Sequence, residues 1–307
     1  RDSSTSRGLG DVYKRQDVSV GFDKKTGSLC SFKNNGTEMI KEGLRPNFWR
    51  PVTDNDMGNG MNKTLRAWRE AGRDAKLVSF EKNNLNNDGY EIVSRYQLPE
   101  SVDNSEFTVR YLFTPEKDLY VNCTFVPAND TLPLMPRFGV SLTLNRQYDE
   151  MEWLGRGPHE NYIDRNTSSF VGHFKGSVAD QYFAYDRPQE NGNKTDVRWM
   201  SLTDKNGNGI MAIGEPLFSS SAYLFPTEDL DEPGLRKSQR HTSDIKPKDM
   251  VTWNIDLKQM GVGGDTSWGA FPHEPYLIPA RKMDFTFRLC PAKANGVEGN
   301  KRYLSVK

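Results

Sequence analysis

The stretch Asp17-Val-Ser-Val-Gly-Phe22 alternates polar and apolar residues, and Ser28-Leu-Cys-Ser-Phe32 resumes the alternation after the tetrapeptide Lys24-Lys-Thr-Gly27. A period of two puts the apolar side chains on one face of a strand, and the tetrapeptide is typical of a hairpin turn. Similar runs follow at residues 89–97, 107–113, 119–126, 137–144, 209–214, 251–257 and 284–289. Because no alternation of strands with helices appears, the sequence predicts an all-β fold, a large antiparallel β-sandwich with long loops.

One helix is predicted at residues 63–71, because Leu65, Trp68 and Ala71 share a face and Gly72 is suited to end it. A second, shorter helical piece is possible around residues 227–230. Long segments without strand patterns remain between the runs, and such loops are usually functional or disordered. Their aromatic and polar composition favours function. They comprise residues 47–62, 155–167, 179–194 and 261–279.

No linker divides residues 17–307, so one domain is predicted there. Residues 1–16 are polar and rich in Ser, Arg and Gly, which predicts a non-native or disordered leader. The chain carries 41 Lys and Arg against 41 Asp and Glu. Nucleic acid and anionic membranes are bound through a basic excess, so neither is expected as a partner. The cysteines (Cys30, Cys123 and Cys290) are far apart, which predicts no metal site.

The run Gly261-Val-Gly-Gly-Asp-Thr-Ser-Trp268 is the most informative local pattern. Its glycines allow backbone conformations closed to other residues, and Asp265, Thr266 and Ser267 favour turns through hydrogen bonds to the backbone. A rigid ring on such a loop suits the flat C–H face of a sugar. The alternative, which the local pattern alone favours, is a turn whose Trp268 covers the core.

A second dense motif is Arg45-Pro-Asn-Phe-Trp-Arg-Pro-Val-Thr-Asp-Asn-Asp-Met-Gly-Asn-Gly60. It does not fit an EF-hand, because the sixth and twelfth positions from Asp54 are not the required Gly and Glu. Gly58 and Gly60 would let the segment move.

The two carboxylates of this motif, Asp54 and Asp56, have two interpretations. They could form a general acid/base pair, although catalytic carboxylates usually come from different elements. The local pattern favours a structural role, in which they hold loop N–H groups and pair with Arg45 or Arg50.

The third motif is Trp153-Leu-Gly-Arg-Gly-Pro-His-Glu-Asn-Tyr-Ile-Asp-Arg165. His159 and Glu160 suggest acid/base chemistry or a metal, but neighbours on an extended chain point to opposite faces. A loop ordered by hydrogen bonds that include Glu160 and Asn161 is the simpler interpretation. The polar cluster Gln189-Glu-Asn-Gly192 is most simply a turn.

Taken together, these motifs resemble the C-terminal domain of β-galactosidases of the glycoside hydrolase 2 type, which is a separate small subunit in some bacteria. Each motif is weak by itself, but their shared order and spacing are specific. The resemblance covers residues 17–307 and is carried by the motifs that begin at Arg45, Trp153, Gln189 and Gly261.

The resemblance implies a β-supersandwich like that of aldose mutarotases and a place in a retaining glycosidase. The family's two catalytic glutamates lie on a separate TIM-barrel domain, so no catalytic residue is assigned in this chain. The Trp that ends the GVGG-D-x-SW motif forms a wall for the sugar, and here it is Trp268. Supporting positions near the active site are then Asp54, Asn55, Asp56, Gly58, Asp265, His159, Glu160 and Asn161.

The resemblance also implies a galactoside substrate, the barrel-bearing remainder of the enzyme as partner, and a homo-oligomer. The family's Mg²⁺ and Na⁺ sites lie mostly in other domains, so no metal is expected in this chain. The compartment would be the bacterial cytoplasm or periplasm. The family domain normally begins with further strands before Asp17, so we expect a truncated domain with an open sheet edge.

Two other functions remain open. A mutarotase-like epimerase acting alone needs a His and a carboxylate facing each other across a sugar pocket. Its candidates have no supporting motif and are His159, His173, His241 and His273. A non-catalytic carbohydrate-binding module is the third possibility.

Overall fold

The computed structural model describes residues 9–231, 240–266, 268–294 and 296–305. Strands dominate, in the order β1 (Leu9–Arg15), β2 (Val18–Asp23), β3 (Leu29–Asn34), β4 (Thr37–Glu38), β5 (Ile40–Asn47), β6 (Lys76–Asn84), β7 (Tyr90–Gln97), β8 (Glu106–Phe113), β9 (Leu119–Val126), β10 (Arg137–Leu144), β11 (Glu150–Gly157), β12 (Phe170–Ser177), β13 (Lys194–Thr203), β14 (Asn208–Tyr223), β15 (Val251–Gln259) and β16 (Met283–Lys293). The α-helices are α1 (Asp54–Asn59), α2 (Met61–Thr64) and α3 (Gly296–Leu304). Short 3-10 helices are Arg66–Trp68, Asn86–Asp88, Glu100–Val102, Ala179–Gln181, Thr227–Leu230, Thr242–Asp244 and Glu274–Tyr276.

The strands pair antiparallel in two sheets. The large sheet has the order β12-β11-β13-β14-β16-β9-β8-β7-β6. Strand β15 also pairs with β14, β10 pairs with β15, and β5 pairs with β10. The small sheet has the order β1-β2-β3-β4 and packs on the large one, where the rings of Phe22 and Tyr111 lie 4.9 Å apart. The predicted all-β antiparallel sandwich is confirmed.

Strand β14 explains how the large sheet curls. Residues 208–214 pair with β16, whereas residues 219–223 pair with β15. Pro216, between the two parts, has no N–H to donate to a ladder, so the strand can change partners there. The run predicted at 209–214 therefore covers only the first part of β14.

The core lies between the layers. On β9 buried side chains alternate with partly exposed ones, as the period of two predicted, whereas β10 is buried at every position. An aromatic cluster fills the centre, and the Phe48 ring lies 5.6 Å from Trp68 and 5.5 Å from Phe107.

The helix predicted at 63–71 is wrong in its bounds. Helix α2 ends at Thr64, and a 3-10 helix follows at Arg66–Trp68. Leu65, Trp68 and Ala71 are nevertheless buried, as their spacing indicated. The Trp68 indole donates to the Pro133 carbonyl at 3.0 Å, so its tertiary contacts decide the local conformation rather than helical periodicity. The helical piece at Thr227–Leu230 is confirmed as a 3-10 helix.

The segment predicted as a leader contains a strand. Residues 9–15 form β1 and pair with β2, and the Tyr13 ring lies 4.8 Å from that of Tyr90. Disorder is therefore the wrong expectation for residues 9–15, because their backbone hydrogen bonds are made by a neighbouring strand. Residues 1–8 lie outside the described part of the chain. Within that part, no helix is long and apolar enough to cross a membrane.

Candidate functional site

The loop that follows β15, residues 261–270, is called here the tryptophan loop. Its Trp268 side chain is 85% exposed, whereas each of the other tryptophans is at most 8% exposed. The turn interpretation, in which Trp268 covers the core, is therefore wrong. Trp268 is the most exposed of the large apolar side chains in the described residues. Ser267, which the sequence assigned to the turn, lies outside the described residues.

The start of the tryptophan loop is held by a buried ion pair. The Arg50 guanidinium contacts Asp56 at 2.8 and 3.1 Å, and both side chains are buried. It also donates to the Met260 carbonyl and, at 2.8 Å, to the Gly261 carbonyl. Asp56 exchanges hydrogen bonds of 3.0 Å with Thr53 and so begins helix α1. Asp56 thus has the structural role that the sequence favoured, with Arg50 as its partner.

The end of the tryptophan loop lies against helix α1. Asn55 accepts from the Gly269 N–H at 3.1 Å and donates to the Ala270 carbonyl at 2.9 Å. A Cβ on Gly58 would lie 2.6 Å from the Trp268 carbonyl oxygen. Gly58 therefore allows the backbones of helix α1 and the tryptophan loop to approach closely. The sequence had predicted a different role, in which Gly58 lets the segment move. Gly60, with φ = 81°, ends the helix.

Asp54 anchors the other side of helix α1. Its oxygens accept from Arg187 Nε at 2.7 Å and Gln189 Nε2 at 3.1 Å, and its N–H donates to Gln189 Oε1 at 3.1 Å. Burial would raise the pKa of Asp54, but the hydrogen bonds from Arg187 and Gln189 outweigh it and hold the pKa below its usual value. Asp54 therefore stays ionised and is a poor general acid.

A cleft of about 430 Å³ separates helix α1 and the tryptophan loop from the third motif. Its walls include Thr53, Asp54, Asn55, residues 262–266, Tyr162, Arg165, Tyr185, Gln189 and Glu190. A second cleft of about 400 Å³ shares Arg165 and residues 262–265 with it and is also lined by Asp164, His273 and Tyr276. Asp265 borders both clefts, and its exposed carboxylate accepts from His273 at 2.7 Å.

Consecutive side chains of the third motif contact different partners, as expected for neighbours that point to opposite faces of an extended chain. His159 is exposed and contacts Ser168 and Ser169, whereas Glu160 binds Arg165 at 2.9 Å and Tyr185 at 3.0 Å. Asn161 is fully buried, and its Oδ1 accepts from the Thr195 N–H at 2.9 Å. Glu160 thus orders the rim of the cleft, and His159 and Asn161 hold the loop.

Sequence reasoning missed a buried network beneath the cleft. Glu190 accepts from the Tyr162 hydroxyl at 3.1 Å and from Gln259 at 3.2 Å, and lies 3.5 Å from Arg137. Arg137 is also 3.2 Å from Asp256. Burial raises the pKa of Asp256 to about 7, although Arg137 opposes the shift. The only sequence signal was the polar cluster at residues 189–192, which resembled a simple turn.

Within the described ranges, no three His, Cys, Asp or Glu side chains come together as ligands for a metal ion. Two histidines contact carboxylates directly, His173 with Glu152 at 2.6 Å and His273 with Asp265 at 2.7 Å. An epimerase would instead need a His and a carboxylate that face each other across a sugar pocket.

The curled antiparallel sandwich belongs to the class of galactose mutarotase-like β-supersandwich folds. It matches a GalM/aldose epimerase homologue from C. elegans with a TM-score of 0.53, 11% identity, and coverage of 94% of this chain and 99% of the other. Galactose 1-epimerase from Lactobacillus acidophilus gives a TM-score of 0.52, 11% identity, and coverage of 96% and 98%.

The chain belongs to the beta galactosidase small chain family, whose model matches residues 14–289. A β-galactosidase from Priestia megaterium is 37% identical over 275 residues, which are 88% of this chain and 25% of the relative. One from Halalkalibacterium halodurans is 34% identical over 278 residues, 89% and 26% respectively. The chain thus spans about a quarter of the length of these curated relatives.

Proposed function

We propose that this chain is the C-terminal part of a β-galactosidase of the glycoside hydrolase 2 type, which hydrolyses terminal β-D-galactosides such as lactose with retention. Trp268 forms an aromatic wall of the galactoside site. The observation that carries the proposal is the exposed Trp268 ring on a loop held at both ends, at 85% exposure in a chain whose other tryptophans are buried. Stacking on a sugar would contribute about 1–2 kcal/mol to binding.

The chemistry itself belongs to another part of the enzyme. A retaining glycosidase needs two carboxyl groups about 5–5.5 Å apart, one as nucleophile and one as acid/base. The two carboxylates of the motif that begins at Arg45 are bound by other side chains, Asp56 by Arg50 and Asp54 by Arg187 and Gln189. We therefore assign the two catalytic glutamates to a TIM barrel that packs against this domain, together with the Mg²⁺ and Na⁺ sites. The full enzyme is proposed to be a homo-oligomer.

The test is Trp268→Ala in the complete enzyme. Loss of the stacking surface should raise KM for lactose about 5- to 30-fold, which corresponds to the 1–2 kcal/mol above. Trp268→Phe keeps a flat ring and should retain most of the affinity. Wild-type kinetics for Trp268→Ala would overturn the assignment.

The isolated chain separates this proposal from the two other functions. It should neither hydrolyse lactose nor accelerate anomer interconversion, and it should bind sugar only weakly, because one wall of a site gives little affinity. Accelerated interconversion would favour an epimerase. Tight calorimetric binding of galactosides would favour a carbohydrate-binding module.

A further inference from the structure

One side-chain amide holds the two residues that follow Trp268. Asn55 Oδ1 accepts from the Gly269 N–H at 3.1 Å, and its Nδ2 donates to the Ala270 carbonyl at 2.9 Å. A carboxamide can donate and accept at once from a single planar group, which a carboxylate cannot do. The backbone just beyond Trp268 is therefore tied to one residue of helix α1.

Asn55 is itself fixed by its neighbours on α1. The preceding Asp54 N–H donates to Gln189 at 3.1 Å, and the following Asp56 is clamped by Arg50. The Arg50 guanidinium also binds the Gly261 carbonyl at the start of the tryptophan loop, at 2.8 Å. Both ends of the loop are thus bound to one short segment, with Asn55 at the end nearer to Trp268.

We infer that Asn55 is a positioning residue for Trp268, which it holds through the backbone of Gly269 and Ala270. Loss of the Asn55 side chain is expected to free the C-terminal end of the tryptophan loop, while Arg50 still holds its start. The kinetic consequence rests on the proposed function, because only a sugar-contacting Trp268 converts this freedom into weaker substrate binding. The loss of order at Trp268 does not depend on that function.

The first test measures the order of Trp268 in this chain. Because the other tryptophans are buried, acrylamide-accessible fluorescence reports on Trp268, and Trp268→Phe supplies the background. Asn55→Ala should add a fast component to the anisotropy decay of that fluorescence. Asn55→Asp, which keeps the acceptor and loses the donor, should add a smaller one. Asn62→Ala on helix α2 is the control and should match the wild type. An unchanged decay in Asn55→Ala overturns the inference.

The second test is a double-mutant cycle in the complete enzyme. Asn55→Ala should raise KM for lactose about fivefold, the amount expected from loss of hydrogen bonds, with a smaller change in kcat. In a Trp268→Ala background the same substitution should have no further effect, because its target ring is gone. An equal change in KM on Asn55→Ala with and without the Trp268 ring would show that Asn55 acts independently of Trp268, and it would overturn the inference. No effect of Trp268→Ala alone would instead overturn the proposed function.

Discussion

At the scale of single residues, Gly58 shows how a missing side chain brings two segments together. It lies inside helix α1, where glycine is normally unfavourable compared with alanine. A Cβ there would lie 2.6 Å from the Trp268 carbonyl oxygen and 2.9 Å from Gly269 Cα, both backbone atoms. The glycine therefore serves the contact between helix and tryptophan loop.

Gly58→Ala should destabilise the chain by about 1–3 kcal/mol, because the added methyl forces the two backbones apart. An ordinary helix position would instead gain up to about 1 kcal/mol from the same change. Gly263→Ala is a matched control within the tryptophan loop, since its Cβ would lie 3.5 Å from Asp164. Urea unfolding measures both variants. A Gly58→Ala chain as stable as the wild type would contradict the packing argument.

At the scale of elements, the Arg50–Asp56 pair joins helix α1 to the end of β15. The guanidinium neutralises Asp56 and also satisfies the carbonyls of Met260 and Gly261. Arg45, five residues earlier, forms a partly exposed pair with Glu228 at 2.9 Å. The motif thus offers two arginines, one in a fully buried ion pair and one in a partly exposed ion pair.

Arg50→Met should cost about 3–5 kcal/mol of unfolding free energy, because it leaves a buried carboxylate unpaired. Arg45→Met should cost at most about 1 kcal/mol, because the pair is partly exposed and Glu228 keeps Arg73 as a second partner. Denaturant unfolding of both variants gives the comparison. Similar losses for the two would mean that burial does not govern the strength of these pairs.

The sequence alone could not choose between these arginines. It favoured a structural role for Asp54 and Asp56 and offered Arg45 or Arg50 as their partners. The structure pairs Asp56 with Arg50, whereas Asp54 pairs with Arg187, which is 133 residues away. Such a partner is set by the packing of distant loops, which local spacing does not encode.

At the scale of the whole molecule, charge is buried below the cleft. Arg137, Glu190 and Asp256 form one contiguous ionic network across distant strands and loops. Lys194 is also buried, with the Gly192 carbonyl at 3.4 Å and the Trp153 ring centroid at 5.2 Å from Nζ. Burial lowers the pKa of Lys194 to about 8, although Glu160 opposes the shift.

This lowered pKa predicts a pH dependence of stability. Between pH 8 and 10.5 the native Lys194 has lost its proton while the unfolded one keeps it, so stability rises with pH through this window. Relative to Lys194→Met, the wild type should therefore gain up to about 3 kcal/mol from pH 7.5 to 10.5. Unfolding curves of both proteins across this range provide the measurement. A constant difference would show that Lys194 titrates normally.

The amino-acid sequence by itself determined those strands whose apolar residues alternate, such as β8 and β9, because alternation is a short-range property. It also marked Trp268 and its glycine-rich loop as unusual. It did not reveal β1, β4 to β6 or β11 to β13, for which no alternating run was predicted. Only the tertiary structure decided that Trp268 faces outward, that Asn55 and Arg50 hold its loop, and that Glu190 joins a buried ionic network. The reason is physical: exposure and ion-pair partners depend on residues far away in the chain, which only folding brings together.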